Sequence, residues 1–188
     1  MSTAATAIGD WVTQLGARQP TPGGGAAAAL AAATGAALGA MAARYTTGKR
    51  WADRSGQTEP LIALLDTLAA GFLDLADRDA KAYAALQASW KQNDLDPATK
   101  AQIEDDARAV PATILERCAD SCESIATFVP NCNPMIVSDA KAAIHLLAGA
   151  ARAAWHTLLI NQPNTDMQSR AEAQLQRCSA AEQPLLPG

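Results

Sequence analysis

The segment PTPGGGAAAALAAATGAALGAMAARYTTGKR spans residues 20–50, and its composition decides how the chain folds. No charged residue occurs from Gln19 to Ala43. A membrane-spanning helix needs about 20 strongly apolar residues, whereas here only Leu30, Leu38 and Met41 have large apolar side chains. Alanine is the best helix former. The segment therefore predicts a long helix inside a protein rather than a membrane span.

Small residues recur along one side of this helix. Gly35 and Gly39 are four positions apart, and Ala31 and Ala43 continue the same row. A small-xxx-small row lets a second helix approach backbone to backbone. We expect this helix to lie at the centre of a bundle or in a dimer interface.

Three glycines, Gly23, Gly24 and Gly25, come just before the helix. Backbone N–H groups at the positive end of a helix dipole can bind an anion. The spacing fits neither the P-loop nor the dinucleotide-binding fingerprint, so a nucleotide motif is not supported. The residues alone leave a tight turn and a ligand-binding loop both open.

The whole chain predicts an all-α, up-and-down bundle with this Ala/Gly-rich helix at its centre. It has 188 residues, 49% of them hydrophobic but only 4% aromatic, and no long alternating pattern. We expect one domain over residues 1–182 and a flexible tail over residues 183–188. Helices are predicted over about 3–17, from the glycines to about 48, 59–90, 97–128, 138–161 and 167–181, with NDLDPATK as a turn. We expect Asp96 or Thr99 to cap the fourth helix and Ser138 to be the N-cap of the fifth. Gly48 is expected to be the C′ residue of the second helix.

Charge and cysteine content limit the partners and the compartment. A formal net charge of −4 argues against nucleic acid, and the N-terminus does not resemble a secretory signal. We therefore expect a cytoplasmic protein without membrane or nucleic-acid partners. The four cysteines, listed here, are expected to be free thiols, although a metal pair on one helix face stays open: Cys118, Cys122, Cys132 and Cys178.

An acid occupies an unexpected position in the third predicted helix. Apolar residues recur there at spacings of three and four, and Asp79 lies in the middle of their stripe, which consists of Phe72, Leu75, Ala76, Tyr83, Leu86 and Trp90. Asp74, Asp77 and Lys81 are expected on the solvated face. A buried carboxylate is paired, hydrogen-bonded or held with a raised pKa for acid/base work. A catalytic and a structural role for Asp79 are equally open on these residues.

The helix SDAKAAIHLLAGAARAAWHTLLIN carries two kinds of face. Its basic residues share one side, which is either solvated or attractive to an anion: Lys141, His145, Arg152 and His156. Asp139 and Asn161 lie on the other side with Ala143, Ala150 and Thr157. Buried polar groups need partners, so this second side is the better site candidate and the histidines rank low.

Three of these motifs together resemble the family of the formiminotransferase-cyclodeaminase C-terminal domain and methenyltetrahydrofolate cyclohydrolase. They are TPGGG with the following TTGKR, DRDAKAYAAL, and NPMIVSDAKAAIHLLAGAARAAWHTLLIN, in the family's order and over roughly residues 5–180. The chain departs from the resemblance at two positions, since relatives often carry Ser in place of Ala26 and Asn in place of His156.

The resemblance implies an all-helical homodimer that acts on a one-carbon tetrahydrofolate without a metal or another cofactor. Asp79 would be the general acid/base, and Lys49 would bind the glutamate tail or stabilise the intermediate. The implied substrate-binding residues are Pro22, Gly23, Gly24, Gly25, Tyr83, Ser138, Asp139 and Asn161.

Two reactions fit the resemblance. A cyclohydrolase hydrolyses 5,10-methenyltetrahydrofolate to 10-formyltetrahydrofolate, and a cyclodeaminase expels ammonia from the formimino compound to give the methenyl one. Because no formiminotransferase domain accompanies this sequence, we expect the cyclohydrolase. A folate-binding module without chemistry, or a helical interaction protein, remains the alternative from another class.

Overall fold

The residues that the structure describes form an all-α bundle of six α-helices. A computed structural model describes residues 2–92 and 94–187, without the side chain of Ser55. The helices are α1 (Ile8–Leu15), α2 (Gly24–Arg44), α3 (Ser55–Ser89), α4 (Pro97–Phe128), α5 (Val137–Ile160) and α6 (Thr165–Glu182). Short 3-10 turns lie at Thr3–Ala5, Lys49–Arg54, Val129–Asn131 and Gln183–Leu185. No β-strand occurs in the described ranges, so the predicted fold class is confirmed.

Helix α2 is the central element, as its composition predicts. It packs mainly on α3 and α5, and its glycines lie where a side chain would collide with a neighbour. A Cβ atom on Gly35 would come within 2.9 Å of Leu147 Cγ, and one on Gly39 within 2.6 Å of Ile125 Cδ1. Helix α5 runs antiparallel to α2, since Gly24 lies beside Thr157 at the other end. The small-residue row therefore lets two long helices approach the backbone of α2.

Helices α2 and α5 are each long and apolar enough to cross a membrane by length and composition alone. In the bundle, 61% of the apolar window of α2 and 44% of that of α5 are buried against other helices. Packing inside the protein therefore covers most of the apolar window of α2 and somewhat less than half of that of α5.

Several helix ends differ from the predicted ones. Helix α2 ends at Arg44, so Gly48, with φ +88°, is not its C′ residue. The chain turns away because the buried Thr46 hydroxyl donates to the Ala42 carbonyl and accepts from the N–H of Asn133, both at 3.0 Å. Helix α5 begins one residue before Ser138, which therefore lies inside its first turn and is not an N-cap.

Two acids hold backbone N–H groups at a helix end and in the N-terminal segment. Asp96 caps α4 by accepting the Thr99 N–H at 3.0 Å, which decides between the two predicted residues. Asp77, expected to be solvated, accepts the backbone N–H of Thr3 at 2.7 Å and so holds the N-terminal turn. Leu185 in the predicted tail packs against the core. The predicted turn and tail also include residues 93 and 188, which lie outside the described ranges.

Candidate active site

A cavity of about 460 Å³ opens where four helices meet. The N-terminus of α2, one segment each of α3 and α4, and the C-terminal end of α5 surround it. The residues that line it are Pro20, Thr21, Gly23, Gly24, Gly25, Asp79, Ala82, Tyr83, Ala107, Ala153, His156, Thr157, Ile160 and Asn161. Six of the residues predicted from the sequence are therefore brought to one cavity.

Asp79 reaches this cavity at the first turn of α2. Its Oδ2 atom accepts the backbone N–H of Ala26 at 2.9 Å, although no residue at the start of α2 supplies a side-chain cap. The carboxylate of α3 thus occupies the position of an N-cap for α2. Since the Ala26 N–H belongs to the main chain, this bond does not depend on which side chain follows the glycines.

The glycines make that close approach possible. A Cβ atom on Gly25 would lie 2.0 Å from Asp79 Oδ1 and 2.5 Å from its Cγ, which is far inside contact distance. At Gly24 the nearest neighbour of such an atom is Thr157 Oγ1, at 3.5 Å. Glycine is therefore required at position 25 for steric reasons, because the Asp79 carboxylate fills the space of a side chain.

The surroundings of Asp79 favour its protonated form. Burial raises the pKa of the carboxyl above its ordinary value, and the hydrogen bond from the Ala26 N–H acts in the opposite direction. Among the described residues, the Ala26 N–H is its only hydrogen-bond partner. A carboxyl group with a raised pKa, beside a cavity, has the properties of a general acid/base.

The other walls offer aromatic and polar groups. Tyr83 lies one turn beyond Asp79 on α3; its hydroxyl accepts a hydrogen bond from Gln87 at 3.3 Å, and its ring meets Trp90 edge to face at 6.5 Å. On α5, Asn161 is partly buried and its side-chain amide donates to the Ala107 carbonyl at 2.8 Å. These groups can contact the flat face and the polar edge of a heterocyclic ligand.

Two residues near the end of α5 line the cavity but are not among the site residues predicted from the sequence. His156 lines the cavity, although it was grouped with the basic stripe. Thr157 lies beside Gly24 on the face that the sequence marked as the better candidate, but it was not chosen as a site residue. The signal that could have found them is their spacing of five and four residues before Asn161, which places all three at the same end of α5.

Three predicted site residues lie at the opposite end of the molecule. Lys49 follows the C-terminus of α2, and Ser138 and Asp139 occupy the first turn of α5. Asp139 is separated from Asn161 by most of α5, which at ~1.5 Å per residue is about 33 Å. Ser138 Oγ lies 3.3 Å from Asp139 Oδ2. Pro22 precedes the glycines in a cis peptide bond and is next to lining residues.

Half of the basic stripe of α5 is paired with one acid that the sequence did not reveal. Glu182, at the end of α6, lies 2.6 Å from an Arg152 nitrogen and 2.9 Å from His145 Nδ1. The hydrogen bond from Arg152 lowers the pKa of the Glu182 carboxyl. Two of the four basic side chains therefore fasten α6 to α5.

All four cysteines are buried free thiols, as predicted. Burial raises the pKa of the Cys118 thiol well above its ordinary value, so it is not a reactive thiolate. In residues 2–92 and 94–187, no three His, Cys, Asp or Glu side chains are grouped so that they could hold a metal ion.

Comparison with known proteins gives one family. The family model described as formiminotransferase-cyclodeaminase matches residues 7–180. The formimidoyltransferase-cyclodeaminase of Rattus norvegicus is 32% identical over 80% of this chain and 29% of its own length. The methenyltetrahydrofolate cyclohydrolase of Methylorubrum extorquens is 26% identical over 86% of this chain and 81% of its own.

A solved structure shares the fold. The formiminotetrahydrofolate cyclodeaminase of Thermotoga maritima superposes with a TM-score of 0.83 over 97% of this chain and 98% of that one, at 19% identity. The chain spans less than a third of the length of the formimidoyltransferase-cyclodeaminases that it matches.

Proposed function

Because this chain belongs to the formiminotransferase-cyclodeaminase family, we propose that it is an enzyme acting on a one-carbon tetrahydrofolate. Our proposal is that it hydrolyses 5,10-methenyltetrahydrofolate to 10-formyltetrahydrofolate. The observation that carries this proposal is the Asp79 carboxyl, largely removed from water and facing the cavity beside the first turn of α2. The M. extorquens cyclohydrolase, which this chain matches over most of both lengths, supports it.

Asp79 supplies the proton transfers of this hydrolysis. Its carboxylate accepts a proton from a water molecule as the water oxygen bonds to the carbon between N5 and N10. The tetrahedral adduct then collapses: its hydroxyl gives up its proton as the C=O bond forms, the bond from that carbon to N5 breaks, and N5 takes up the proton held by Asp79, so that one proton is released overall. An acid/base group with a raised pKa is suited to both transfers at neutral pH.

The charges around the cavity fit this substrate. The methenyl bridge carries a positive charge shared between its two nitrogens, and Asp79 provides the opposite charge. Within the described part of the chain, the residues that line the cavity include neither Lys nor Arg. We therefore propose that the cavity binds the cationic part of the molecule and that the glutamate tail lies outside it.

A cyclodeaminase activity is the second candidate, and four relatives named formimidoyltransferase-cyclodeaminase favour it. In that reaction N10 attacks the formimino carbon on N5, and Asp79 would protonate the departing ammonia. The two reactions share a tetrahedral carbon between the same nitrogens, so one arrangement of groups serves both.

We propose that the protein is a homodimer. Within one protomer Lys49, Ser138 and Asp139 cannot reach the cavity, so their proposed roles require a second copy that brings its opposite end to it. Mixing Asp79→Asn with an inactive Lys49→Ala protein would then restore activity in heterodimers, and no restoration would remove Lys49 from the site. We further propose a cytoplasmic enzyme that needs no metal and binds neither membrane nor nucleic acid.

The experiment that tests the function compares both substrates side by side. Loss of the absorbance of 5,10-methenyltetrahydrofolate measures the cyclohydrolase, and ammonia release from 5-formiminotetrahydrofolate measures the cyclodeaminase. We expect enzyme-dependent acceleration of the first. Acceleration of only the second would assign the cyclodeaminase, folate binding without acceleration would indicate a non-catalytic binding module, and no binding would favour an interaction protein.

A further inference from the structure

The C-terminal end of α5 is held by one side chain of α4 that the proposed mechanism does not use. Arg108 Nε donates to the backbone carbonyls of Asn161 at 2.9 Å and Gln162 at 3.1 Å. The rest of its guanidinium is fixed by Asp105 at 2.9 Å and Glu104 at 3.1 Å. Only 19% of the Arg108 side chain is exposed. Arg108 is therefore a firmly held bridge between two helices rather than a mobile surface charge.

The end of α5 needs such a partner. The last carbonyls of a helix have no N–H partner inside the helix. A cation beside them is favourable because of the helix dipole. Gln162 has φ +53°, a left-handed conformation that residues with a side chain rarely adopt. Pro163 follows and prevents the helix from continuing. Arg108 thus stabilises a strained turn whose preceding residue, Asn161, lines the cavity.

The Asn161 side chain is oriented by the residue next to Arg108. Its Nδ2 atom donates to the Ala107 carbonyl at 2.8 Å. A carbonyl can only accept, so this contact fixes which end of the amide is nitrogen. The Oδ1 atom is then the polar atom left for a ligand. Two consecutive residues of α4 therefore hold Asn161, one through its side chain and the other through its backbone.

We infer that Arg108 is a positioning residue that fixes Asn161 so that Oδ1 accepts a hydrogen bond from an N–H group of the substrate. The inference rests on the proposed function, since the pterin ring of a tetrahydrofolate carries an amino group and ring N–H groups. In this arrangement Asp79 would transfer protons beside the reacting carbon from α3, and Asn161 would hold the ring from the end of α5. Arg108 acts only through Asn161 and touches no reacting atom.

A double-mutant cycle tests this coupling. Arg108→Lys keeps the charge but removes the Nε–H donor, and Asn161→Ala removes the acceptor. Each single change is expected to raise KM about tenfold with kcat changed less than about threefold, since one ligand hydrogen bond is lost. The double variant should be within about twofold of Asn161→Ala, because the two act through one contact. Multiplied effects, about a hundredfold in KM, would overturn the inference.

Two further measurements separate positioning from general destabilisation. Arg170→Lys is the matched control, since Arg170 pairs with Asp166 on α6 with 76% of its side chain exposed. In Arg108→Lys, amide hydrogen exchange should become faster over residues 159–162 and stay unchanged in α2 and α3. The pH profile of kcat/KM, which depends on Asp79, should keep its shape. Faster exchange throughout the bundle, or an altered profile, would contradict a role through Asn161.

The exchange measurement does not depend on turnover. If the unmodified protein accelerates neither folate reaction, the proposed function fails, and hydrogen exchange then decides whether Arg108 holds Asn161. Unchanged exchange over residues 159–162 in Arg108→Lys would overturn the positioning role even in an active enzyme.

Discussion

Replacing Gly25 with alanine should disable the site while leaving the bundle folded. The new Cβ atom would lie 2.0 Å from Asp79 Oδ1, against the 3.4 Å of ordinary contact, so the carboxylate must move by the difference, 1.4 Å. That movement breaks the hydrogen bond from the Ala26 N–H, because Oδ2 cannot stay at 2.9 Å while Oδ1 retreats.

The size of the effect follows from that displacement. A misplacement of about 1 Å at a reacting group costs about a hundredfold in rate, so kcat/KM of Gly25→Ala should fall at least about a hundredfold. Loss of a hydrogen bond to a charged group costs about 1.5–3 kcal/mol, which is partly offset by the ~0.5–1 kcal/mol that alanine gains over glycine in a helix.

The assay is methenyltetrahydrofolate hydrolysis, with circular dichroism and urea unfolding as checks on the fold. Gly56→Ala is the matched control, since Gly56 lies in α3, the helix that carries Asp79, and a Cβ atom there meets nothing within 4 Å. Full activity in Gly25→Ala would refute the argument that Asp79 must occupy its observed position.

Three predictions on stability accompany this one. Burial raises the pKa of Asp79 in the folded state, so its ionised form costs stability at neutral pH. Asp79→Asn should therefore be at least as stable as the unmodified protein at pH 7, and its advantage in the free energy of unfolding should shrink towards pH 4. If Asp79→Asn instead lowers the free energy of unfolding most at pH 7, Asp79 is a structural cap. The Glu182 carboxyl has a lowered pKa, so Glu182→Gln should lower the free energy of unfolding at pH 7. The loss should be only about 1 kcal/mol, because half of the partner side chain, Arg152, is exposed. That loss should disappear as the pH falls through the folded pKa, and a pH-independent loss in urea titrations would contradict it. Gly39→Ala should lower the free energy of unfolding by about 1–2 kcal/mol through overpacking against Ile125. An unchanged urea midpoint would show that the neighbouring side chains can move to accommodate the added methyl group.

The sequence was sufficient to predict the fold and the acid that lies beside the cavity. An uncharged Ala/Gly segment allows few structures other than a closely packed helix, and the observed contacts of Gly35 and Gly39 have that origin. Asp79 was found because one carboxylate interrupts an apolar stripe at helical spacing. Both signals are local, since each can be read within one helix.

The features that sequence reasoning missed depend on residues far apart in the chain. Glu182 lies in a polar segment that resembles a solvated surface, and its partners on α5 are 30 and 37 positions away. Arg108 left no signal because its acceptors are backbone carbonyls, which any residue type supplies. Lys49 and Asp139 were grouped with the cavity because motif order does not specify distance, and two long antiparallel helices separate them from it.

The most direct test of the account is to measure turnover and substrate affinity separately in Asp79→Asn. Asparagine keeps the size of the side chain and an oxygen that can accept the Ala26 N–H, but it cannot transfer a proton at neutral pH. Single-turnover measurements with saturating 5,10-methenyltetrahydrofolate should show a rate at least about a hundredfold lower, with the substrate still bound and the circular dichroism spectrum unchanged. A folded Asp79→Asn protein that turns over at the unmodified rate would contradict the central claim that Asp79 performs the acid/base step.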